Sequence, residues 1–318
     1  MNSQELQYLL SFYQQETLPF HYFKDRYAFQ LLAYQLPEKG NTVSEVKQSP
    51  WAFLLDKPRL KKQTASLPGQ RIRPDDLRSY LPEDVFYFDM TFGSWGAYKR
   101  HRNDTWFQTS RPGFNLVLQL NFGALHDTQY HQLIQPKTKE HPFRWICHPV
   151  AENNKLTMAW ARLDVDLENG TVLIEEIQND WFRNVKQVHR SLSNLVKRRP
   201  KVVQQHYLFK RANCTAKQFF QYSKSLAQNH ERIWEEATLS ACLHFIREEL
   251  GIREIYYHSF AGGTLLKYCT PPRSLYRTLP RKFGFQKTQE APLFIRRCRY
   301  LKKKLRANTI DWYCLRLN

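Results

Sequence analysis

The segment WARLDVDLENGTVLIEEIQNDW, residues 160 to 181, restricts the fold more than any other part of the chain. Two alternating runs flank Asn169-Gly170, the strongest short-range signal for a β-hairpin closed by a two-residue type I′ turn. Such a turn sets Asp166 opposite Leu173, Asp164 opposite Glu175 and Leu163 opposite Glu176. One face then carries Ala161, Leu163, Val165, Leu167, Val172 and Ile174, a core face, and Glu176 and Gln178 continue it by parity, with Asp180 next. An ionised carboxylate on a buried face is costly unless it is paired, hydrogen-bonded or shifted in pKa. Glu176 is therefore either paired to an arginine for structure or held as an active-site or ligand-binding group, its pKa raised by partial burial towards the range of a general base.

Downstream, NHERIWEEATLSACLHFIREEL (229 to 250) has the apolar spacing of a helix, stopped by Gly251. IREIYYHSF then reads as a strand, Ala261-Gly262-Gly263-Thr264 as a tight turn and TLLKY as the start of another helix. Gly262 and Gly263 at such a join let a backbone approach a cofactor phosphate, although turn geometry alone also accounts for them. A strand, a crossover helix and a second strand usually form a right-handed unit, which places the hairpin and IREIYYHSF in one sheet with helix 229 to 250 across it. His258 and Lys267 then reach the Glu176 site from the strand-turn-helix side.

Upstream, residues 1 to 50 read as a helical region, with Leu6, Leu9, Leu10 and later Tyr27, Leu31, Leu32 near a 3.6 period. Residues 51 to 150 read as strand-rich, because Ser49-Pro50, Pro68-Gly69 and Pro112-Gly113 punctuate short β-rich runs such as VFYFDMTF and FNLVLQLNF. Residues 151 to 318 form the third unit, with a basic helical insertion at about 183 to 228 and closing strands in APLFIRRC and TIDWYCLRL. The fold class is mixed, α+β or α/β, a sheet with packed helices.

No apolar run approaches the roughly 20 residues needed to span a bilayer. The N-terminus has no Lys or Arg before Lys24, unlike a signal peptide. Six scattered cysteines without a C-x-x-C pair suit a reducing cytoplasm. His126, Asp127, His131, His141, Cys147 and His148 match no standard metal spacing, so satisfied or surface histidines and no metal are expected.

Of 48 Lys and Arg, 12 fall in residues 183 to 232 beside one acid and 13 in residues 267 to 306 beside one acid; the remainder of the chain is slightly acidic. Charge of one sign concentrated in this way points to a phosphate-bearing partner. The candidate contacts are Arg183, Lys186, Arg190, Lys197, Arg198, Arg199, Lys201, Lys210 and Arg211, then Arg296, Arg297, Arg299, Lys302, Lys303 and Lys304. Aromatics thread both stretches (Trp181, Phe182, Tyr207, Phe209, Phe219, Phe220 and Tyr222, then Tyr268, Tyr276, Phe283, Phe285 and Tyr300), a pattern that favours stacking on RNA or single strands. The shared depletion of acids predicts that both stretches meet on one face. The N-terminal helices leave room for a protein partner.

Two resemblances follow from these motifs. EIQNDW, Glu176 to Trp181, with the later Trp234 to Gly251 pattern, resembles the E-I-Q-S-D-W module of polyvalent proteins of phages and mobile elements over residues 160 to about 268, with Asn179 in place of the usual Ser. Hairpin, helix, strand, helix and then Leu279, Phe283, Gly284 and Phe285 before a closing hairpin look like the second half of a GNAT-type N-acetyltransferase. The pyrophosphate loop of that family has no counterpart, since NDWFRNVKQ contains no glycine. The resemblance implies a GNAT-like sheet, and together with the basic stretches and the cysteine usage the expectation is a cytoplasmic nucleic-acid-binding protein with an acyltransferase-like C-terminal domain. The alternative it implies is an N-acyltransferase or other transferase acting on a coenzyme A thioester, with Glu176 as general base, Gln178 and Asp180 as orienting groups, His258 beside them, and Gly262, Gly263 and Lys267 at the cofactor. A docking protein on a macromolecular assembly is a further reading.

Overall fold

A computed structural model describes residues 1–318 except 68, 70, 98–107, 138–140, 146, 152–154 and 268, so Pro68 and Tyr268 lie outside the described residues. Eight strands form one mixed sheet: β1 (Leu18–Tyr22), β2 (Phe86–Ala97), β3 (Gly113–Phe122), β4 (Thr157–Asp166), β5 (Thr171–Gln178), β6 (Glu254–His258), β7 (Gln286–Thr288) and β8 (Trp312–Arg316). Their order is β1-β2-β3-β4-β5-β6-β8-β7, and it draws strands from all three segments distinguished above. The pair β5 and β6 is parallel, and the other neighbours run antiparallel. Among the described residues no helix is long and apolar enough to cross a membrane.

The hairpin is present, but its turn is not the two-residue one. Leu167 to Gly170 form a four-residue loop, so Asp166 faces Thr171 and Asp164 faces Leu173. The side chain of Asp166 favours the longer loop by accepting from Asn169 N at 3.2 Å and Asn169 Nδ2 at 2.8 Å, and Gly170 supplies the left-handed residue (φ +59°) that ends it. Farther along, Leu163 pairs with Ile174 but Arg162 pairs with Glu176, which leaves Glu175 as the extra residue of a β-bulge. The bulge reverses the alternation. Val172, Ile174 and then Ile177 share one core face, whereas Glu176 and Gln178 leave it for the face of Trp160 and Arg162. This corrects the placement of Glu176 and Gln178 on the side of Val172.

The first face, with Ala161, Leu163, Val165, Ile174, Ile255 and Tyr257, meets the large core. Helices α1 (Ser3–Tyr13), α2 (Arg26–Gln35), α3 (Ala124–Leu133), α4 (Trp181–Arg198), α5 (Ala216–Asn229) and α6 (Trp234–His244) contribute to it. The second face carries Leu173, Tyr256, Trp312 and Cys314 under a smaller cluster that includes Phe294, Ile295 and Leu301. α6 is buried on nearly every side because it lies between the sheet and α2. It starts at Trp234 rather than Asn229, where α5 ends, and its last, wider turn runs over Phe245–Glu249 before Gly251.

Several local expectations change. The N-terminal region includes the edge strand β1, where Pro19 is tolerated on a single-neighbour strand. The strand-rich segment holds helices Pro58–Ala65, Pro74–Arg78 and α3. APLFIRRC forms a helical turn, Leu293–Arg296, and the closing pair is β7 with β8. Gly262 and Gly263 lie in the first half of helix α7 (Phe260–Lys267) rather than in a turn, and are glycine because a Cβ would meet Ile310 or Tyr276 at 3.0 Å.

Candidate functional site

Where β5 and β6 stop pairing, at Ile174 and Tyr257, β5 runs on to Gln178 and the two strands part. The carboxyl end of a parallel pair is where an open α/β sheet offers a crevice. Glu175, released by the bulge, turns to His258 at the end of β6: Glu175 Oε2 lies 3.1 Å from His258 Nε2 and accepts from Ser110 Oγ at 2.8 Å. Ser110 Oγ also stands 2.8 Å from the same imidazole nitrogen. All three side chains are fully buried. Burial opposes the charge of Glu175, but His258, Lys267 and Arg162 outweigh it and hold the carboxyl well below its ordinary range. Burial lowers the pKa of His258 more than Glu175 raises it, so the ring is neutral, with its proton on Nε2 and a bare Nδ1 that finds no partner among the described residues. A relay would need one imidazole nitrogen for the serine and the other for the carboxylate. Here both use Nε2, so the trio braces the strand ends.

Glu176 pairs with Arg162 across the hairpin and with Lys267 Nζ at 3.3 Å. Lys267, at the end of α7, is fully buried and donates to Glu175 O at 2.9 Å and to Tyr276 Oη at 3.0 Å. Burial would raise the pKa of Glu176, yet the two cations bring it below the usual carboxylate range. A general base requires a raised value, so this environment favours the structural ion pair over that role. Lys267 likewise belongs to the brace, Gly262 and Gly263 are helix-packing residues, and His258 meets Glu175 rather than Glu176.

Asp180 fares differently. At the junction of β5 and α4 it accepts from Trp160 Nε1 at 3.2 Å and Gln178 Nε2 at 2.9 Å, and it pairs with Arg183. Its Oδ2 lies 2.6 Å from His148 Nδ1. A carboxylate can only accept, so His148 Nδ1 carries a proton and donates it to Asp180. Burial raises the Asp180 pKa less than His148 and Gln178 lower it, so the carboxylate stays ionised. His148 borders a cavity of about 220 Å³ whose walls include Trp95, Trp160, Arg162, Glu176 and Gln178. Among the described residues both bonds to Glu176 fall on Oε2. The role of His148 went unread in the sequence because Asp180 is 32 residues away and His148-Pro149 signals only a turn. Of the other histidines, His126 is stacked on Phe122 at 3.5 Å and bonded to Tyr222 Oη at 3.0 Å, a buried core residue.

The basic stretches are not gathered wholly on one face: Leu275, Tyr276, Leu279, Phe283 and Phe285 of the second share the large core with the first, but its later part does not. α4 forms because Trp181, Phe182, Val185, Val188 and Leu192 recur on one side and bury against the first face of the sheet, leaving Lys and Arg on the other side. Phe294, Ile295 and Leu301 of the second stretch pack on the opposite face. Arg183 and Lys186 are paired to Asp180 and Glu231. Arg190, Lys197, Arg198, Arg199, Lys201, Lys210 and Arg211 are exposed without a carboxylate partner among the described residues. In the second stretch Arg296 pairs with Glu290 at 3.4 Å and Lys304 donates to Leu265 O at 3.2 Å, while Arg297, Arg299, Lys302 and Lys303 are exposed. The interleaved aromatics are largely core: Trp181, Phe182, Phe209, Phe219, Tyr222, Tyr276, Phe283 and Phe285 are buried, and among the described ones only Tyr207 (41%) and Tyr300 (72%) are well exposed. Their regular recurrence in a basic helix reflected its buried side.

No family model, curated protein or solved structure matches the chain.

Proposed function

We propose that this chain is a nucleic-acid-binding protein that grips backbone phosphates through the layer of α4 and α5, carried on an acyltransferase-like sheet. The charge of that layer supports the reading most: Arg190, Lys197, Arg198, Arg199, Lys201, Lys210, Arg211, Lys217 and Lys224 are exposed with no carboxylate partner among the described residues. Like charges so crowded repel one another, and a polyanion relieves the repulsion while releasing its own counterions. With most aromatics turned inward, contact is to phosphate rather than to bases, so duplexes and single strands both bind. Fluorescence anisotropy with a labelled RNA hairpin, a single strand and a DNA duplex at stepped salt tests this. A linear fall of log affinity with log salt is expected; no binding of any of the three at low salt would remove the reading.

A second reading, group transfer, is favoured by one specific arrangement. The strand order β4-β5-β6-β8-β7, with a parallel pair that parts at a bulge, supports the reading of a GNAT-like sheet, and the cleft beside it holds an imidazole bonded to Asp180. In this reading His148 replaces Glu176 as the proton acceptor. Coenzyme A fits poorly as the donor carrier: the start of α4 is capped by Asn179 Oδ1, which accepts from Phe182 N at 2.8 Å, and is flanked by the Asp180 carboxylate, so a pyrophosphate would meet an occupied, negative helix end. Coenzyme A should leave the melting temperature unchanged; a saturable rise would restore it as a cofactor.

A further inference from the structure

Far from that cleft, a cavity of about 340 Å³ opens between α2 and the segment of Leu77 and Tyr80. Its walls are aromatic: Tyr80 stacks on Phe29 with ring centres 4.6 Å apart and meets Phe23 edge-on at 5.5 Å. Into this apolar setting α2 brings Arg26. The guanidinium lies over the Phe20 ring at 4.9 Å, and its Nη1 is buried with no hydrogen-bond partner. Buried arginines are ordinarily paired, because an unpaired charge removed from water is costly. No carboxylate takes that role. Glu236 is engaged by Lys24 and Lys282, and Glu248 stands exposed at the rim without an ion pair to Arg26. A second buried polar atom without a partner, Gln30 Oε1, belongs to the same wall; the Gln30 amide nitrogen is fixed by Tyr34 Oη and Ser240 O, so the oxygen is not free to turn away.

A pocket of this size, with an aromatic body and a few polar groups (Arg26, Gln30, Tyr34 and His244, with Arg78 and Glu248 also lining it), has the make-up of a small-molecule site. We infer that it binds a monoanionic carboxylate with an apolar or aromatic body, the carboxylate meeting the Arg26 fork and the body lying against Phe23, Phe29 and Tyr80. A carboxylate suits a planar guanidinium in two parallel hydrogen bonds. A doubly charged phosphate would call for a second free cation, and the other arginine at the cavity, Arg78, is exposed and paired with Asp75 at 3.2 Å.

Calorimetric titration of the full chain with 4-phenylbutyrate and octanoate, and with 4-phenylbutanamide as the uncharged control, decides the matter. Saturable one-to-one binding of at least one carboxylate is expected, with the amide at least tenfold weaker. Binding of neither acid, or equal binding of the amide, overturns the site. Arg26→Lys keeps a charge but loses the fork and should weaken the carboxylate at least tenfold; unchanged affinity in a folded variant also overturns it. Should Arg26→Lys fail to fold, the surface change Glu248→Gln decides. It removes a repelling charge from the rim, so affinity for the acid must rise severalfold while that for the amide stays, and an unchanged acid affinity refutes the proposal.

Discussion

His148 Nδ1 lies 2.6 Å from Asp180 Oδ2, a contact that fixes which imidazole nitrogen faces the cleft and ties the loop before β4 to the start of α4. Asp180 is also the acceptor for Trp160 and Gln178. Replacing Asp180 by Ala leaves a buried indole N–H and an amide without their acceptor, with an expected loss of about 2 to 3 kcal/mol by urea unfolding. The Trp160 environment should change with it, read as near-ultraviolet circular dichroism. A variant as stable as the parent would mean that the dyad is not held as described.

Glu176→Gln separates a structural ion pair from a working carboxylate. Arg162 and Lys267 both have side chains about 1% exposed, and the near-isosteric amide takes away the carboxylate they are paired with, leaving the more distant Glu175 as counter-charge. The expected loss is about 3 to 5 kcal/mol, seen as a lower melting temperature. Full stability with lost ligand binding would return Glu176 to a functional role.

A comparable effect is expected at Asp164. This buried carboxylate holds the Met1 ammonium at 2.5 Å and Arg111 at 2.6 Å. Asp164→Asn strands both and should cost about 3 to 5 kcal/mol, measured by denaturant unfolding at neutral pH.

For the basic layer, converting Lys197, Arg198 and Arg199 to Ala should leave stability near that of the parent, since all three are exposed. The salt slope of polynucleotide binding should become shallower by about 0.9 per lost phosphate contact on duplex DNA, or about 0.7 on single strands. An unchanged slope takes the triplet out of the contact set.

His126 supplies a pH dependence. Burial pushes its pKa down to about 3, so the unfolded chain takes up a proton near pH 6.5 that the folded chain refuses. Stability from this group is therefore present above pH 6.5 and lost as pH falls. Neighbouring Asp127, raised by burial to about 6, works in the opposite direction between about pH 6 and 4. His126→Gln removes the first effect and keeps the second. The stability of the parent relative to this variant should drop by about 2 kcal/mol from pH 7 to pH 5, by denaturant unfolding at each pH.

Alternation made the hairpin readable, and the order strand, helix, strand made its neighbour β6 readable, because both depend on residues close in sequence. The bulge had no such mark. Glu175 and Glu176 are the same residue type, and only pairing across to Arg162 decides which of them is the extra one. The basic helix misled for a related reason: Phe219 and Tyr222 beside Lys217 and Lys224 give one string of letters, and the helical period sends the rings to the core and the charges to water. Gly262 and Gly263 showed a need for space, but the neighbours demanding it, Ile310 and Tyr276, arrive from later in the chain. Asp180 was legible as a polar group at the end of the hairpin, and its partner His148 was not.

The parallel pairing of β5 with β6 also bears on the order in which the protein folds. Thr171 and Glu254, opposite each other in that pair, are 83 residues apart, and Ser110 and His258 are 148 apart. The intervening α4, α5 and α6 can form from local contacts, whereas the strand junction must wait for a long loop to close, a step whose entropic penalty delays non-local pairing. The cleft is thus among the last parts of the molecule to be assembled. A refolding chain is expected to gain its helical signal before His148, Arg162 and Glu176 stand together.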